Sequence, residues 1–320
     1  MDMAMLIKIV KFYGRFTPSF SAIGYYARRP LWGLNKFDFH SQTWLVTGAS
    51  GGIGRAIAVA AAQHGARVIA VARNEQKLAE LVASVPPGLA LETRTADLSL
   101  MSETAALVDR LQGEKLKINV LVNNVGALIH EHELTVEGKE SSYALNILNH
   151  FLLTEKLIGR GLLKQESSII NMSSGGMYNA PLMVDRMNQL DPARYGGVMA
   201  YAVHKRGQAE LTKYWQQKYG EALQLRCYVM HPGWTDTAGV RHAMPRFRKI
   251  LRLVLRNDYQ GADTAVWLAA RRPEADPGAF WLDRKPRSAH AYPATRTSRY
   301  SPNDLAQYLT DECGAYLLPN

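Results

Sequence analysis

The chain has 320 residues, of which 47% are hydrophobic, 21% charged and 9% aromatic. This composition is typical of a globular protein with a large core, and it excludes a disordered, collagen-like or disulfide-stapled chain. Two cysteines, Cys227 and Cys313, are too few for a disulfide framework, so we expect a reducing, cytoplasmic compartment. No apolar run reaches the ~20 residues that span a bilayer. The apolar N-terminal stretch is interrupted by Lys8 and Lys11 and does not resemble a signal peptide.

The formal net charge of +10 comes from two segments. Residues 1–40 carry six basic and two acidic side chains, and residues 241–256 carry six basic side chains and no acidic one. The rest of the chain is balanced, and so local an excess argues against a protein that coats nucleic acid.

From about Gln42 the sequence alternates short apolar runs with helix-like stretches, which is the pattern of a parallel sheet covered by helices on both faces. The predicted strands are Thr43–Thr47, Ala66–Ala72, Leu89–Thr95, Ile118–Asn123, Ser168–Ser173, Leu223–His231 and Ala279–Leu282. The predicted helices lie near Gly52–His64, Glu75–Ser84, Ser102–Gln112, Gly138–Gly159, Tyr201–Tyr219 and Asp258–Arg271. We therefore expect one doubly wound, Rossmann-like α/β domain over residues 42–282, with an N-terminal basic and apolar extension (1–41) and a C-terminal tail (283–320).

A glycine-rich run lies between the first predicted strand and an alanine-rich helix. It reads Thr47-Gly48-Ala49-Ser50-Gly51-Gly52-Ile53-Gly54. Glycines there let the backbone turn tightly and approach a pyrophosphate, whose charge meets free amides at the helix N-terminus. A packing turn without a ligand is the alternative, but the strand-turn-helix position favours nucleotide binding.

The end of the second strand predicts which nucleotide is bound. An acid there would accept hydrogen bonds from a ribose 2′-hydroxyl, whereas an arginine would pair with a 2′-phosphate. This sequence has Arg73 and no acid in Val71-Ala72-Arg73-Asn74, which favours NADP(H) over NAD(H). The alternative is that Arg73 is simply a solvated residue.

Tyr201 and Lys205 are four residues apart on a predicted helix and therefore share one face. A tyrosine needs a pKa shift of roughly 3 units to exchange a proton near neutrality, and a neighbouring ammonium shifts its pKa in that direction. Such a pair also occurs on many helices without function.

Together with Ser174, Asn146 and Asn123-Asn124-Val125-Gly126, these signals make the sequence resemble the short-chain dehydrogenase/reductase family from about Gln42 to Leu282. The resemblance implies a catalytic tetrad of Asn146, Ser174, Tyr201 and Lys205. It also implies further cofactor contacts, at Asp97, Leu98, Asn124, Val125, Gly126, Pro232, Gly233, Trp234 and Thr237.

The resemblance implies the interconversion of a carbonyl and an alcohol with NADP(H). Tyr201 would donate the proton, Ser174 would hydrogen-bond the reacting oxygen, Lys205 would lower the pKa of Tyr201 and hold the nicotinamide ribose, and Asn146 would support a water. Two alternatives stay open: a non-catalytic NADP(H)-binding sensor or scaffold, and an NADPH-dependent C=C reductase. No histidine cluster predicts a metal site.

Three further runs are most similar to the dehydrogenase/reductase member 12 branch of that family. They are Asn171–Met177, His231–Thr237 and Asp283–Pro286. Two departures from the common family pattern stand out. Val125 replaces an alanine, and Gly175–Ala200 forms an insertion that we expect to wall the substrate pocket with Met177, Tyr178, Leu182 and Met183, unless it lies on the remote surface.

The basic segment predicts an amphipathic helix over Arg246–Arg256. Its apolar side would carry Phe247, Ile250, Leu251 and Val254, and its other side Arg248, Lys249, Arg252 and Arg256. With the N-terminal apolar stretch, it suggests a peripheral protein on the anionic inner face of a membrane that takes up a lipophilic substrate. Packing against the domain or against a second copy in a homo-oligomer is the alternative.

Overall fold

The structure, a computed structural model, describes residues 3–33 and 36–317, with side chains from residue 12 onward. Its strands are β1 Thr43–Thr47, β2 Arg67–Ala72, β3 Leu91–Thr95, β4 Ile118–Asn123, β5 Leu163–Met172, β6 Arg226–Met230, β7 Phe280–Leu282 and β8 Lys285–Arg287. They form one sheet in the order β3-β2-β1-β4-β5-β6-β7-β8, parallel except for β8, which pairs antiparallel with β7. The predicted doubly wound α/β fold is confirmed.

Helices cover both faces of the sheet. They are α1 Met3–Phe20, α2 Ala22–Arg28, α3 Gly52–Gln63, α4 Glu75–Ala83, α5 Met101–Gly113, α6 Ser141–Tyr143, α7 Asn149–Gly159, α8 Gly197–Tyr219, α9 Ala238–Ala243, α10 Pro245–Leu251, α11 Asp258–Arg271 and α12 Pro302–Cys313. A π-helical turn, Ala144–Leu148, joins α6 to α7. Side chains fix several starts: Asn74 caps α4, and Asn257 and Gln260 form a capping box at α11.

Alternating side chains of the strands supply two separate cores. In β1, Leu45 faces a cluster with α5, α7 and α8, while Trp44 and Val46 face a cluster with α3, α4 and α11. All three side chains are buried, as expected for a central parallel strand that is covered on both faces. The carboxyl ends of the strands therefore lie at one edge of a rigid layer, where ligands bind in this class of fold.

The segments outside residues 42–282 also pack on this domain. Phe16 and Phe20 of α1 join a third buried cluster, and Leu305 and Leu309 of α12 join the cluster under α8. β8 adds to the sheet edge. The limits that we gave the domain and its flanking segments stay a prediction.

The single amphipathic helix predicted over Arg246–Arg256 is wrong in extent. Helix α10 ends at Leu251, and Arg256 is buried rather than solvated, because both of its terminal nitrogens donate to Asp283. The membrane prediction also used the N-terminal apolar stretch, and the side chains of Met5–Lys11 in that stretch lie outside the described side chains.

Candidate active site

The glycine run forms a tight turn at the carboxyl end of β1. Gly48 and Gly52 have φ values of +65° and +56°, which favour glycine. A Cβ on Gly54 would lie 2.3 Å from the Gly48 carbonyl oxygen, so only glycine fits there. Gly51 caps α3 without a side chain, and the first amides of α3 remain available to an anion. This open cradle fits a pyrophosphate.

The other residues of the run divide between the cradle and its support. Ser50 lies in the turn and Ile53 in the first turn of α3. Thr47 is fully buried, and its hydroxyl accepts from the Asn124 and Val125 amides at 2.9 and 3.1 Å. Asn124 Nδ2 donates back to the Thr47 carbonyl at 2.8 Å. Thr47 and Asn124 thus clasp the ends of β1 and β4 together.

Arg73 and Asp97, the residues predicted to contact the adenosine, follow the carboxyl ends of β2 and β3. Arg73 follows β2, is exposed, and has no hydrogen bond or ion pair with any residue that the structure describes. The turn lies beside it, since the Ala49 amide donates to the Val71 carbonyl. One carboxylate oxygen of Asp97 accepts from the Ser99 amide and hydroxyl, and Leu98 is buried.

Ser174 and Tyr201 meet where β5 and α8 approach each other. Ser174 follows β5, and its Oγ would lie 3.6 Å from a Cβ on Gly176, the residue that also faces the Tyr201 ring. Burial raises the pKa of Tyr201 above its usual 10, and the nearby Ser174 hydroxyl partly offsets that rise. A Cβ on Gly176 would lie 3.4 Å from the Tyr201 ring, so the start of the insertion touches the tyrosine.

Lys205 lies one turn after Tyr201, with Nζ 5.5 Å from the centroid of the tyrosine ring. The Lys205 ammonium donates to the Met172 carbonyl at 2.9 Å and to Gln208 Oε1 at 3.2 Å. Burial lowers the pKa of Lys205 to about 7. The effect expected of Lys205 on the pKa of Tyr201 stays a prediction.

Asn146 lies in the π-helical turn and is buried. Its side-chain amide exchanges hydrogen bonds with Ala127 (3.1 and 2.8 Å) and donates to the Ser142 carbonyl at 2.8 Å. Its backbone carbonyl accepts from Gln208 Nε2 at 2.7 Å. A Cβ on Gly126 would lie 2.7 Å from Asn146 Oδ1 and 3.1 Å from Lys205 Nζ, so the Asn123–Gly126 loop is packed tightly against both.

The loop after β6 closes the site from the other side. Thr237 caps α9 and lies against the cradle, where a Cβ on Gly52 would be 3.4 Å from its methyl carbon. Gly233 has a φ of +78° and packs on the Arg256 guanidinium, which donates to the Pro232 carbonyl at 3.3 Å. Trp234 contacts Phe247 at a ring-centroid distance of 5.3 Å.

The insertion Gly175–Ala200 contains three short 3₁₀ turns, the first of which touches Tyr201 at Gly176. The prediction that four apolar side chains of the insertion line the substrate pocket is wrong in detail. Met177, Tyr178 and Leu182 are buried in the protein core, and Met183 is partly buried against it. Arg206 anchors the insertion by donating to the carbonyls of Met177 and Ala180.

Sequence reasoning missed the contribution of α1 to the site. Phe20 packs edge-on against His231 at 4.3 Å and touches Gly175, directly after Ser174. Phe20 also contacts Trp234 at 5.7 Å. The signal was present, because Phe12, Phe16 and Phe20 recur every four residues and form one helix face. What lay beneath that face could not be read from the spacing.

Among residues 3–33 and 36–317, no three His, Cys, Asp or Glu side chains cluster closely enough to hold a metal ion. Within the same ranges, no helix has the length and apolar character needed to cross a bilayer.

Comparison with known proteins assigns the family. A family model described as short chain dehydrogenase matches residues 42–184. A Bos taurus protein, dehydrogenase/reductase SDR family member 12, is 37% identical over 266 residues, covering 80% of this chain and 81% of that protein. The Homo sapiens protein of the same name is 36% identical over 262 residues, with the same coverage. The chain belongs to the short-chain dehydrogenase/reductase family. The resemblance to the member 12 branch is likewise confirmed.

A solved structure has the same fold. The angucycline C-6 ketoreductase LanV with bound NADP superposes with a TM-score of 0.62 at 23% identity, covering 77% of this chain and 95% of that one. As a member of this family, the chain is an oxidoreductase that acts on a small-molecule substrate with a nicotinamide nucleotide.

Proposed function

We propose that the protein is an NADP(H)-dependent enzyme that interconverts a carbonyl and an alcohol in a lipophilic substrate. The observation that carries the reaction type is the placement of the Ser174 hydroxyl and the Tyr201 ring around Gly176, with the Lys205 ammonium 5.5 Å from the centroid of the ring. The bound nicotinamide would supply or accept the hydride. The remaining steps are the work of this chain's own side chains.

In the reductive direction, the Tyr201 hydroxyl donates its proton to the substrate oxygen. The Ser174 hydroxyl donates a hydrogen bond to the same oxygen, where negative charge develops in the transition state. The Lys205 ammonium favours the tyrosinate that remains. Burial makes each of these interactions stronger than it would be in water, since the surrounding dielectric is low. Asn146 and Gly126 hold the loop that faces Lys205.

The selectivity for NADP(H) rests on Arg73. Its unpaired guanidinium borders the adenosine side of the cradle, where a 2′-phosphate would be placed, and β2 ends without an acid. A charge-assisted hydrogen bond to phosphate contributes roughly 2 kcal/mol, or about 30-fold in affinity. We therefore expect NADPH to bind at least about 30-fold more tightly than NADH.

Fluorescence titration of both nucleotides tests this selectivity. Arg73→Ala should weaken NADPH binding about 30-fold and leave NADH binding nearly unchanged. Arg67→Ala is a matched control, because Arg67 is an exposed arginine at the opposite end of β2 that pairs with Glu92. Equal affinities for the two nucleotides, or equal losses in the two variants, would refute the role of Arg73.

The lipophilic substrate is supported by the aromatic surface beside the site. Trp234 contacts Tyr13 of α1 at 5.6 Å and Phe20 at 5.7 Å between ring centroids, and Phe247 of α10 joins them. An aromatic surface of this kind matches an apolar substrate, with the few polar groups at Ser174 and Tyr201 fixing its orientation.

We propose a membrane-contact face that is smaller than the one expected from the sequence and that lies beside this aromatic surface. Ile250 and Leu253 are 79% and 88% exposed, whereas Arg248 pairs with Asp236 and is not available to lipids. Three cations without an ion pair in the described structure surround these apolar side chains: Arg246, Lys249 and Arg252. At ~1 kcal/mol for each basic residue, these three side chains would contribute about 3 kcal/mol to the free energy of binding to an anionic membrane.

Co-sedimentation with liposomes tests this face. The protein should bind phosphatidylserine-rich vesicles at low salt, release them at high salt, and bind phosphatidylcholine vesicles weakly. The double variant Ile250→Ser with Leu253→Ser should bind anionic vesicles more weakly than the wild type. Val136→Ser is the control and should bind like the wild type, because Val136 is an apolar residue outside this face that is 92% exposed. Absence of binding to anionic vesicles at low salt would leave packing on a partner or on the domain as the function of this face.

A further inference from the structure

A closed network of polar side chains lies beneath Lys205. Gln208, one turn further along α8, accepts from Lys205 Nζ at its Oε1 (3.2 Å). Its Nε2 lies 2.7 Å from the Asn146 carbonyl oxygen and 3.1 Å from His150 Nδ1. His150 Nε2 lies 2.8 Å from the Val125 carbonyl oxygen. Gln208 therefore links Lys205 directly to the backbone of Asn146.

The donors and acceptors that are present determine the direction of every hydrogen bond in this network. An amide nitrogen has two hydrogens, and those of Gln208 go to the Asn146 carbonyl and to His150 Nδ1. His150 must then be neutral, with its hydrogen on Nε2 donating to the Val125 carbonyl. Burial, with the nearby Lys205 charge, lowers the pKa of His150 to about 3 and keeps it neutral. The only orientation left for Gln208 points its oxygen at Lys205.

Lys205 has no anionic partner in the part of the chain that the structure describes. The titratable groups that face it are neutral: Tyr201 and His204 from α8 and His150 from α7. Its acceptors in the described structure are the Met172 carbonyl on β5 and Gln208 Oε1. Because burial lowers the pKa of Lys205 to about 7, each of these two acceptors matters for its charge near neutral pH.

We propose that Gln208 is a positioning residue for Lys205: its side-chain amide ties the ammonium to the Asn146 carbonyl and keeps it protonated beneath Tyr201. This inference rests on the proposed function, in which Lys205 acts as a cation. The protonated form then binds nucleotide and supports turnover, so both decline as pH rises through the Lys205 titration. Gln208 sets the midpoint of that decline.

Two substitutions should move this midpoint in opposite directions. Gln208→Met removes the acceptor with little change in shape and should shift the midpoint down by about one pH unit, a tenfold loss at pH values above it. Gln208→Glu places an anion against the ammonium and should shift the midpoint up by about one unit. The readouts are NADPH affinity and kcat/KM between pH 5.5 and 9.5. A third readout is the NMR titration of labelled lysine in the cofactor-free protein, with Lys205→Met to assign the signal.

Thr212→Val is the matched control for structural damage. Thr212 is equally buried on α8, donates to the Gln208 backbone carbonyl at 2.8 Å and accepts from Asn171, without reaching Lys205. It should lower stability and leave the midpoint in place.

Opposite shifts support the proposal. Shifts in the same direction, or an unchanged NMR midpoint, overturn it. If Gln208→Met does not fold, Gln208→Glu alone decides, and the absence of an upward shift in that variant overturns the proposal. If the wild-type chain binds no NADPH, the proposed function fails, whereas the NMR titration still decides the role of Gln208.

Discussion

Replacing Asp283 by asparagine tests what holds the N-terminal helices over the site. Asp283 follows β7, is 1% exposed, and accepts from Arg256 at 2.6 and 2.9 Å and from Arg28 Nε at 2.8 Å. Arg256 also donates to the Ser21 carbonyl at 3.2 Å, which joins α2 to the loop after β6. Asparagine keeps the shape and tolerates the +50° φ at this position, so the change removes little except the charge.

The expected cost is that of leaving a buried guanidinium unpaired, about 3–5 kcal/mol of unfolding free energy. Urea denaturation followed by circular dichroism measures it. Asp185→Asn is the control, because the Asp185–Arg299 pair is 47% and 72% exposed and should contribute under about 1 kcal/mol. If Asp283→Asn costs no more than Asp185→Asn, the cluster does not anchor α1 and α2, and the reasoning is refuted.

Three further predictions follow from burial and close approach. Lys205→Met should stabilise the cofactor-free protein most below pH 7, because burying the charged ammonium of Lys205 destabilises the folded wild type there. Between about pH 7 and 10.5 only the unfolded chain keeps this lysine protonated, so the wild type regains stability as the pH rises. A pH series of urea melts measures both effects. Gly54→Ala should abolish NADPH binding in a titration, since its Cβ would lie 2.3 Å from the Gly48 carbonyl oxygen. The Cβ of Gly51→Ala would meet no atom within 4 Å, so this variant should keep the thermal unfolding midpoint of the wild type. Phe20→Ala should cost about 3–5 kcal/mol in denaturant melts, as expected for a buried aromatic side chain, and a loss under about 1 kcal/mol would contradict the packing of α1 on His231.

The fold could be predicted because strand and helix periodicities are local. The seven parallel strands could be predicted from runs such as Thr43–Thr47, in which every residue is apolar or β-branched. The crossover helices could be predicted from the helix-like stretches between these runs. The strand β8 could not be found in this way, because Lys285–Arg287 is three exposed residues with a proline, and only the turn after β7 brings it to the sheet.

The candidate site was predictable where backbone geometry demands one residue type. Gly48 and Gly54 are required by a positive φ and by a close approach, and both requirements leave a mark in the sequence. Charge pairing leaves no such mark. Arg256 looked like a solvated cation on a helix, but its partner is 27 residues away in the chain and both are buried.

The role of Gln208 was invisible for a similar reason. Its position in α8 identifies the face that it shares with Lys205, but its contacts with Asn146 and His150 depend on how the π-helical turn packs against α8. Spacing along one helix can indicate which residues share a face. It cannot indicate which atoms of another element meet them.

The most direct test of the proposed reaction is transfer of deuterium from [4-²H]NADPH to a lipophilic ketone or aldehyde, with product analysis by mass spectrometry and the Tyr201→Phe variant alongside. We predict deuterium on the carbinol carbon of the alcohol. We also predict a loss of turnover of at least about 100-fold in Tyr201→Phe, with NADPH affinity within about twofold of wild type, since the hydroxyl acts on the reacting oxygen. Deuterium on a former C=C carbon, or a Tyr201→Phe variant that keeps the wild-type rate, would contradict the account.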